Sequence, residues 1–290
     1  QQVRGYGRPA MTDYPRTDDL PSDGVPVRRA ATLLLLADRP DLHVLTLRRT
    51  TRSTFVADHT LFPGGALDPD DGDARWPDLV RGWTPASADD ALGTGPGALA
   101  FWIAAVRETI EEVGIAVGLG GEVVAHRHDL DAGRSRLSDL VGNDGLDISG
   151  VHPVARWVTP TGGPKRYDTF FFVAAAPLGA EPVADGTEAV AVDWLRPSEA
   201  LERWQAGELT MISPTISMLQ CLEGFGTTAE ALAAAAVANG APRRRARILD
   251  ESSDLVRFPG DPGYEAVGTR EALGWVWISS HEGGFGTPEP

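Results

Sequence analysis

"RETIEEVGI", Arg107 to Ile115, places three glutamates, Glu108, Glu111 and Glu112, within five residues, directly behind an arginine. A helix turns about 100° per residue, so the three acids share an arc about 100° wide. Just upstream, Ile103, Val106, Ile110 and Val113 recur at helical spacing and form an apolar stripe roughly opposite that arc. The spacing predicts a helix from about Ala98 to Val113, ended by Gly114 as a C-terminal cap. Arg107 and Glu111 stand four apart and can pair, whereas Glu108 and Glu112, also four apart, repel unless a cation lies between them. Two readings are open at this point. One is a solvated acidic face. The other is a seat for a hard divalent ion, which takes oxygen ligands and keeps waters that phosphates can displace.

The composition bounds the rest. Of 290 residues, 42% are apolar, enough for a sizeable core. A net charge of -15 argues against a nucleic-acid duplex or an anionic membrane as partner. A small phosphorylated substrate stays admissible, because a bound divalent metal reverses the local sign. The single cysteine, Cys221, rules out an intrachain disulfide and a cysteine-based zinc cage, and fits a reducing, cytoplasmic setting. The longest apolar run, around Ala30 to Ala37, is too short to span a bilayer. The N-terminus lacks a signal-peptide layout. Met11 reads as a natural start, so residues 1–10 stay outside the fold argument.

Along the chain, residues 1–27 are polar, rich in proline and aspartate, and read as a flexible arm. "RAATLLLLA" (29–37), "DRPD" (38–41) and "LHVLTLRR" (42–49) read as a hairpin of two strands. "TLFPGGALD" (60–68) is a short strand running into a Pro-Gly-Gly bend. Residues 72–97 show little periodicity and are expected to be a long loop insertion. "VARWVTP" (154–160) and "RYDTFFFVAAAP" (166–177) predict paired strands joined by "TGGPK", and "EAVAVDWL" (188–195) predicts another. "RPSEALERWQAG" (196–207) predicts a helix with Ser198 as N-cap. One more helix is expected over 213–239. The basic run "RRRAR" (243–247), read as a solvated helix end, and "GWVWISS" (274–280) belong to a small C-terminal extension. The expected main domain is 28–222, followed by 223–290.

With these elements in place, the chain resembles the Nudix hydrolases. "RETIEEVGI" matches the second half of their sequence box, Arg-Glu-aliphatic-x-Glu-Glu-x-Gly-aliphatic, with Thr109 where an aliphatic residue is usual. "FPGG" matches the first half, with Gly65 as the opening glycine. The insertion, "WVTP" and "RYDTFFF" are similar to a branch that includes the peroxisomal coenzyme A diphosphatases and many actinobacterial proteins. The resemblance implies an α/β fold, with a mixed β-sheet sandwiched between α-helices. It also implies attack of water on a diphosphate, with Mg²⁺ or Mn²⁺ as cofactor. Glu108 and Glu112 become metal ligands by position, and Glu111 a third ligand or the base. The Gly64–Gly65 bend offers a backbone carbonyl, and Arg107 orients the acids. One departure concerns the family's first glutamate. Counted forward from Gly65 it falls on Asp71, and counted back from Arg107 it falls on Leu99. Asp89 and Asp90 are rival acids.

Other candidates come from sequence order. Glu188 can serve as a base or ligand arriving from a later strand, or as a strand-edge surface charge. Arg48, Arg49 and Arg52 can hold substrate phosphates, or lie on the surface. Arg166 and Tyr167 can contact the nucleotide or pack at a strand edge. Trp157 and Phe170 to Phe172 read as core, and the "HRH" at 126–128 as a strand face. Thr54 and Asp58 occupy places where some coenzyme A-cleaving relatives carry arginine and glycine. That signature is not matched, so coenzyme A is not preferred, and the resemblance implies a nucleotide-like diphosphate substrate: coenzyme A, ADP-ribose, NADH or similar. The alternative is a catalytically weak ligand-binding module of the same fold. A homodimer is left open.

Overall fold

Four consecutive leucines, Leu33 to Leu36, are each 0% exposed, which demands a strand covered on both faces. They lie in β1 (Val27–Asp38) of a computed structural model that describes residues 17–20, 24–50, 57–142, 144–159, 164–237, 244–250, 253–257, 271–276, 280–281 and 284–285. β1 forms an antiparallel hairpin with β2 (Leu42–Arg49). The short strands β3 (Thr60–Leu61) and β4 (Gly64–Ala66) pair with β2 and β1 respectively. Further along come β5 (Val80–Arg81) and β6 (Leu146–Asp147), which pair with each other. β7 (His152–Val158) is antiparallel to β8 (Arg166–Ala175), and β8 is parallel to β1. β9 (Ala189–Leu195) pairs with β2. The main sheet is therefore mixed, with central order β3-β2-β1-β8-β7.

Side-chain alternation along β1 and β8 feeds two cores. Leu33, Leu35, Phe170 and Phe172 pack with the helix α3 (Leu99–Val113) on one face. Leu34, Leu36, Phe171 and Val173 pack on the other face with α6 (Pro197–Gln205), α7 (Ser213–Leu222) and α8 (Thr228–Val237). The expected α3 stripe, Ile103, Val106, Ile110 and Val113, is fully buried, and Gly114 caps the helix in the left-handed region at φ 68°.

Several expectations need correction. Residues 72–97 are not simply a loop. They carry α1 (Trp76–Leu79), β5 and α2 (Pro85–Leu92). Thr84 and Ser87 cap α2 reciprocally, Pro85 fits its first position, and Ala88, Ala91 and Leu92 supply its buried face. The "HRH" segment runs from a 3-10 turn (Gly121–His126) into α4 (Arg127–Asp131), not along a strand; a short α5 (Leu137–Leu140) comes next. Helix α6 starts at Pro197, so Ser198 lies inside the first turn rather than at the cap. The helix expected over 213–239 is two, because Glu230 accepts from the amides of Gly226 and Thr227 and starts α8 afresh. "RRRAR" falls largely in β10 (Arg244–Asp250), which pairs with β11 (Ser253–Arg257) and β12 (Glu271–Val276). Pairing with β11, which begins three residues on, and with β12 farther along decides that assignment. α8 also buries Ala231 and Ala235 in the same cluster as Leu34, so the packed core extends past residue 222. Among the described residues no helix is long and apolar enough to cross a membrane.

Part of the arm is docked. Thr17 donates its hydroxyl to Asp168 Oδ2 at 2.7 Å, and Leu20 is buried beside it in sequence. Asp168, 0% exposed, also takes a two-pronged ion pair from Arg156, with both contacts at 2.7 Å. Removing one partner of such a pair strands a buried charge, which costs about 3–5 kcal/mol. Asp168→Ala is therefore expected to lower the unfolding free energy by about that amount in urea titrations. A loss below about 1 kcal/mol would mean that this pair contributes little to the fold.

Candidate active site

β4 lays the backbone of Gly64 and Gly65 against β1 and under α3. A Cβ on Gly64 would stand 2.4 Å from the Ala31 carbonyl oxygen, and one on Gly65 2.5 Å from Glu108 Oε1. The backbone therefore demands glycine at 64, whereas a side chain at 65 would push the Glu108 carboxylate aside. The Gly64 amide donates to Glu112 Oε2 at 2.8 Å.

Arg107 is the hub. It is buried, and its fork reaches three segments of chain. Nε and Nη2 donate to the two carboxylate oxygens of Asp71, each at 3.0 Å. Nη1 donates to Glu108 Oε1 at 2.9 Å and to Glu111 Oε2 at 2.8 Å, and Nη2 also reaches the Ala66 carbonyl at 3.0 Å. Asp71 arrives on a 3-10 turn (Pro69–Gly72) and is itself buried. In space, then, the forward count from Gly65 is the one that meets the helix. Leu99 opens α3 as a core residue, Asp89 accepts from the Ala98 amide at the α2–α3 joint, and Asp90 is exposed.

Glu188 stands just before β9 and pairs with Arg49. Three residues before Glu188, the Asp185 amide donates to the Glu112 carbonyl at 3.1 Å, which brings this turn to the end of α3. Arg48 and Arg49 are neighbours on β2 and point to opposite faces. Arg48 pairs with Asp58 at 3.9 Å and lines a cavity of about 250 Å³ with Thr60, Arg203 and Glu208. Arg166 is buried in the sheet and donates to the Thr159 carbonyl, and the Tyr167 amide donates to Thr159 Oγ1. Arg52 and Thr54 lie outside the described residues. Sequence reasoning missed Arg127. It is buried, and Nε and Nη2 donate to the Glu111 carbonyl at 3.2 and 2.7 Å. A cation at those terminal carbonyls suits the end of a helix.

The electrostatics are unbalanced. Burial pushes the Glu111 carboxyl up to about 8, against the pull of Arg107 and with added repulsion from Glu108. Burial also raises Glu108, again against Arg107, and raises Glu112, where the charge of Glu108 adds to it. Asp71 is raised by burial despite its pair with Arg107. Three buried or nearly buried carboxyls, Asp71, Glu108 and Glu111, thus contact one guanidinium, and a fourth, Glu112, closes on the Gly64 amide beside them. Such a set fits a divalent cation chemically, since hard oxygen donors beside a backbone bend are what Mg²⁺ and Mn²⁺ take. No group of three or more His, Cys, Asp or Glu side chains among the described residues forms a ready-made metal cage. Two carboxylates, a carbonyl and waters match the habit of Mg²⁺ better than a closed cage would.

The chain as a whole is similar to known Nudix proteins. A solved Nudix hydrolase from Alicyclobacillus acidocaldarius is 30% identical, with a TM-score of 0.61, over 72% of this chain and 97% of that one. Acyl-coenzyme A diphosphatase NUDT19 of Gallus gallus is 28% identical, over 69% of each chain. Its Homo sapiens counterpart is 26% identical, over 70% of each. No protein-family model matches the chain.

Raised carboxyls bind protons in the folded chain that the unfolded chain releases. Their contribution is complete below the ordinary value of 4.5 and is lost as pH rises through about 8. Asp41 and Asp73, held low by Arg196 and Arg75, act in the opposite sense only in more acidic solution. His152, held below its ordinary 6.5 by burial, is one group against the four carboxyls and opposes them only below about 6.5. In EDTA the melting temperature should therefore fall between about pH 5 and pH 8.5, and millimolar Mn²⁺ should restore it at the upper end. A flat or rising profile would contradict the electrostatics described here.

Proposed function

The chain belongs to the Nudix hydrolase family, enzymes that hydrolyse diphosphate linkages, and from that premise we propose that it is a divalent-metal-dependent diphosphatase. Its substrate carries a nucleoside diphosphate joined to another group. The observation that carries this reading is the surplus of carboxyls gathered around Arg107 and pressed against the Gly64–Gly65 backbone. The two relatives from Gallus gallus and Homo sapiens are named as acyl-coenzyme A diphosphatases, which puts a coenzyme A thioester first among candidate substrates, ahead of ADP-ribose and NADH.

Glu108 and Glu112, with a carbonyl of the Gly64–Gly65 bend, would hold Mg²⁺ or Mn²⁺. When bound, the metal supplies charge neutralisation for the diphosphate oxygens. Arg107 fixes the carboxyls of Glu108 and Glu111 by donating to both, and Asp71 fixes Arg107 in turn. Water attacks one phosphorus, the bond from that phosphorus to the bridging oxygen breaks, and the water proton passes to a carboxylate. We assign that proton to Glu188 rather than Glu111. Glu188 is exposed at the edge of the cluster, whereas Glu111 is buried and engaged by Arg107.

Glu112→Gln should lower kcat by about 10²–10³-fold while leaving the melting temperature in EDTA equal or higher, because it removes a buried charge. A near-native rate would remove Glu112 from the site. A panel of acyl-coenzyme A, ADP-ribose and NADH with Mg²⁺ in ¹⁸O-water should give cleavage at the diphosphate, with label in one phosphate product, abolished by EDTA. Ligand-induced melting shifts with no turnover on any compound would favour a binding module instead.

A further inference from the structure

A hydrogen-bonded strap crosses the C-terminal end of α3 and finishes at Glu188. The Val183 amide donates to the Val113 carbonyl at 2.9 Å, and the Asp185 amide to the Glu112 carbonyl at 3.1 Å. These carbonyls belong to the last helical turn, where no intrahelical donor remains. Arg127 binds the same junction from the side. Its Nη1 donates to the Val183 carbonyl at 2.9 Å while its other nitrogens hold the Glu111 carbonyl. The strap is thus tied to the backbone of the two residues, Glu111 and Glu112, whose side chains enter the acid cluster.

The carboxylate of Asp185 organises the turn beyond it. Its Oδ2 accepts from the amides of Thr187 at 2.8 Å and Glu188 at 2.9 Å, and Oδ1 accepts from Ala189 at 2.6 Å. The Thr187 hydroxyl donates to Oδ2 as well. The Gly186 amide returns to the Ala189 carbonyl at 2.9 Å, and the Glu188 carbonyl accepts from the Thr50 amide at 2.8 Å. An aspartate that collects successive amides in this way locks a turn. The turn it locks is the one that carries Glu188, whose carboxylate is met by Arg49.

We propose that Asp185 is a positioning residue for diphosphate hydrolysis, with Arg127 as its anchor. It fixes residues 186–189 relative to α3, so that the Glu188 carboxylate stands at the edge of the acid cluster. The inference rests on the diphosphatase reading, which gives Glu188 a proton to accept. A turn of purely structural value would affect folding alone. A positioning turn acts on the reaction only through Glu188, and that dependence is measurable.

The test compares Asp185→Ala, Asp185→Asn, Glu188→Gln and the double variant Asp185→Ala/Glu188→Gln. Asp185→Ala should lower kcat about ten- to a hundredfold with KM changed less than about threefold, as misplacing a catalytic group does. Asp185→Asn should retain more activity, because its carbonyl oxygen still accepts from two amides. In the Glu188→Gln background Asp185→Ala should cost less than about twofold more. A Mn²⁺ titration without substrate gives a second readout. Asp185→Ala should weaken Mn²⁺ binding when Glu188 is present and leave it unchanged in Glu188→Gln, because a displaced carboxylate no longer adds to the field at the cluster. Multiplicative losses in both readouts, or a native rate for Asp185→Ala, would overturn the proposal. Coupled Mn²⁺ affinities in a chain that hydrolyses nothing on the panel would sink the diphosphatase reading and leave the strap standing. Hydrolysis with uncoupled variants would do the reverse.

Discussion

One buried guanidinium holds the site together. Arg107 touches the 3-10 turn ahead of the insertion through Asp71, the glycine bend through Ala66, and its own helix through Glu108 and Glu111. A buried ion pair is weak support for stability, because stripping water from the charges offsets most of their attraction. What the arrangement supplies instead is position. Asp71 fills both prongs on one side of the fork, so the remaining nitrogen faces the helix acids at fixed distances. The chain thereby concentrates negative charge where its core would otherwise exclude it. Both faces of α3 are covered, so Glu111 and Glu112 are buried like the apolar stripe opposite them.

The sheet explains how that concentration is reached. β1 is buried on both faces, so the helix above it and the helices below it must each supply a complete apolar lining. β4 pairs with the same strand, which brings Gly64 and Gly65 beneath Glu112 and Glu108 without a loop having to reach in. The insertion between the two halves of the sequence box lengthens the connection but keeps its ends registered. Asp71 returns to Arg107 before the insertion leaves, and α2 hands over to α3 where Asp89 takes the Ala98 amide. The chemistry expected of a diphosphatase is thus assembled from segments that the insertion separates in sequence but not in space.

Much of this was legible in the residues. Four leucines in a row announce a doubly covered strand, and the spacing from Ile103 to Val113 with Gly114 behind it announces α3 and its end. The acids on the opposite arc were visible too, but not their burial, which depends on β4 and the 3-10 turn closing over them. Asp71 was ambiguous because the insertion made two counting directions disagree, and only the fold decides which is met in space. Arg127 and Asp185 were invisible for a different reason. Both act on backbone groups, and a side chain that binds carbonyls or amides leaves no residue-type pattern at its partner. The break between α7 and α8 had its signal in Gly224 and Gly226, masked by the alanines beyond them. β10 was hidden by its arginines, which read as a solvated helix end although the strand pairs with β11 just after it and with β12 farther on.

The most direct measurement is an anomalous difference map from crystals grown with Mn²⁺, collected where manganese scatters strongly. The account predicts a peak bounded by the carboxylates of Glu108 and Glu112 and by the backbone of the Gly64–Gly65 bend, with Arg107 still joined to Asp71. A map with no peak there, and with Glu112 still closed on the Gly64 amide, would contradict it.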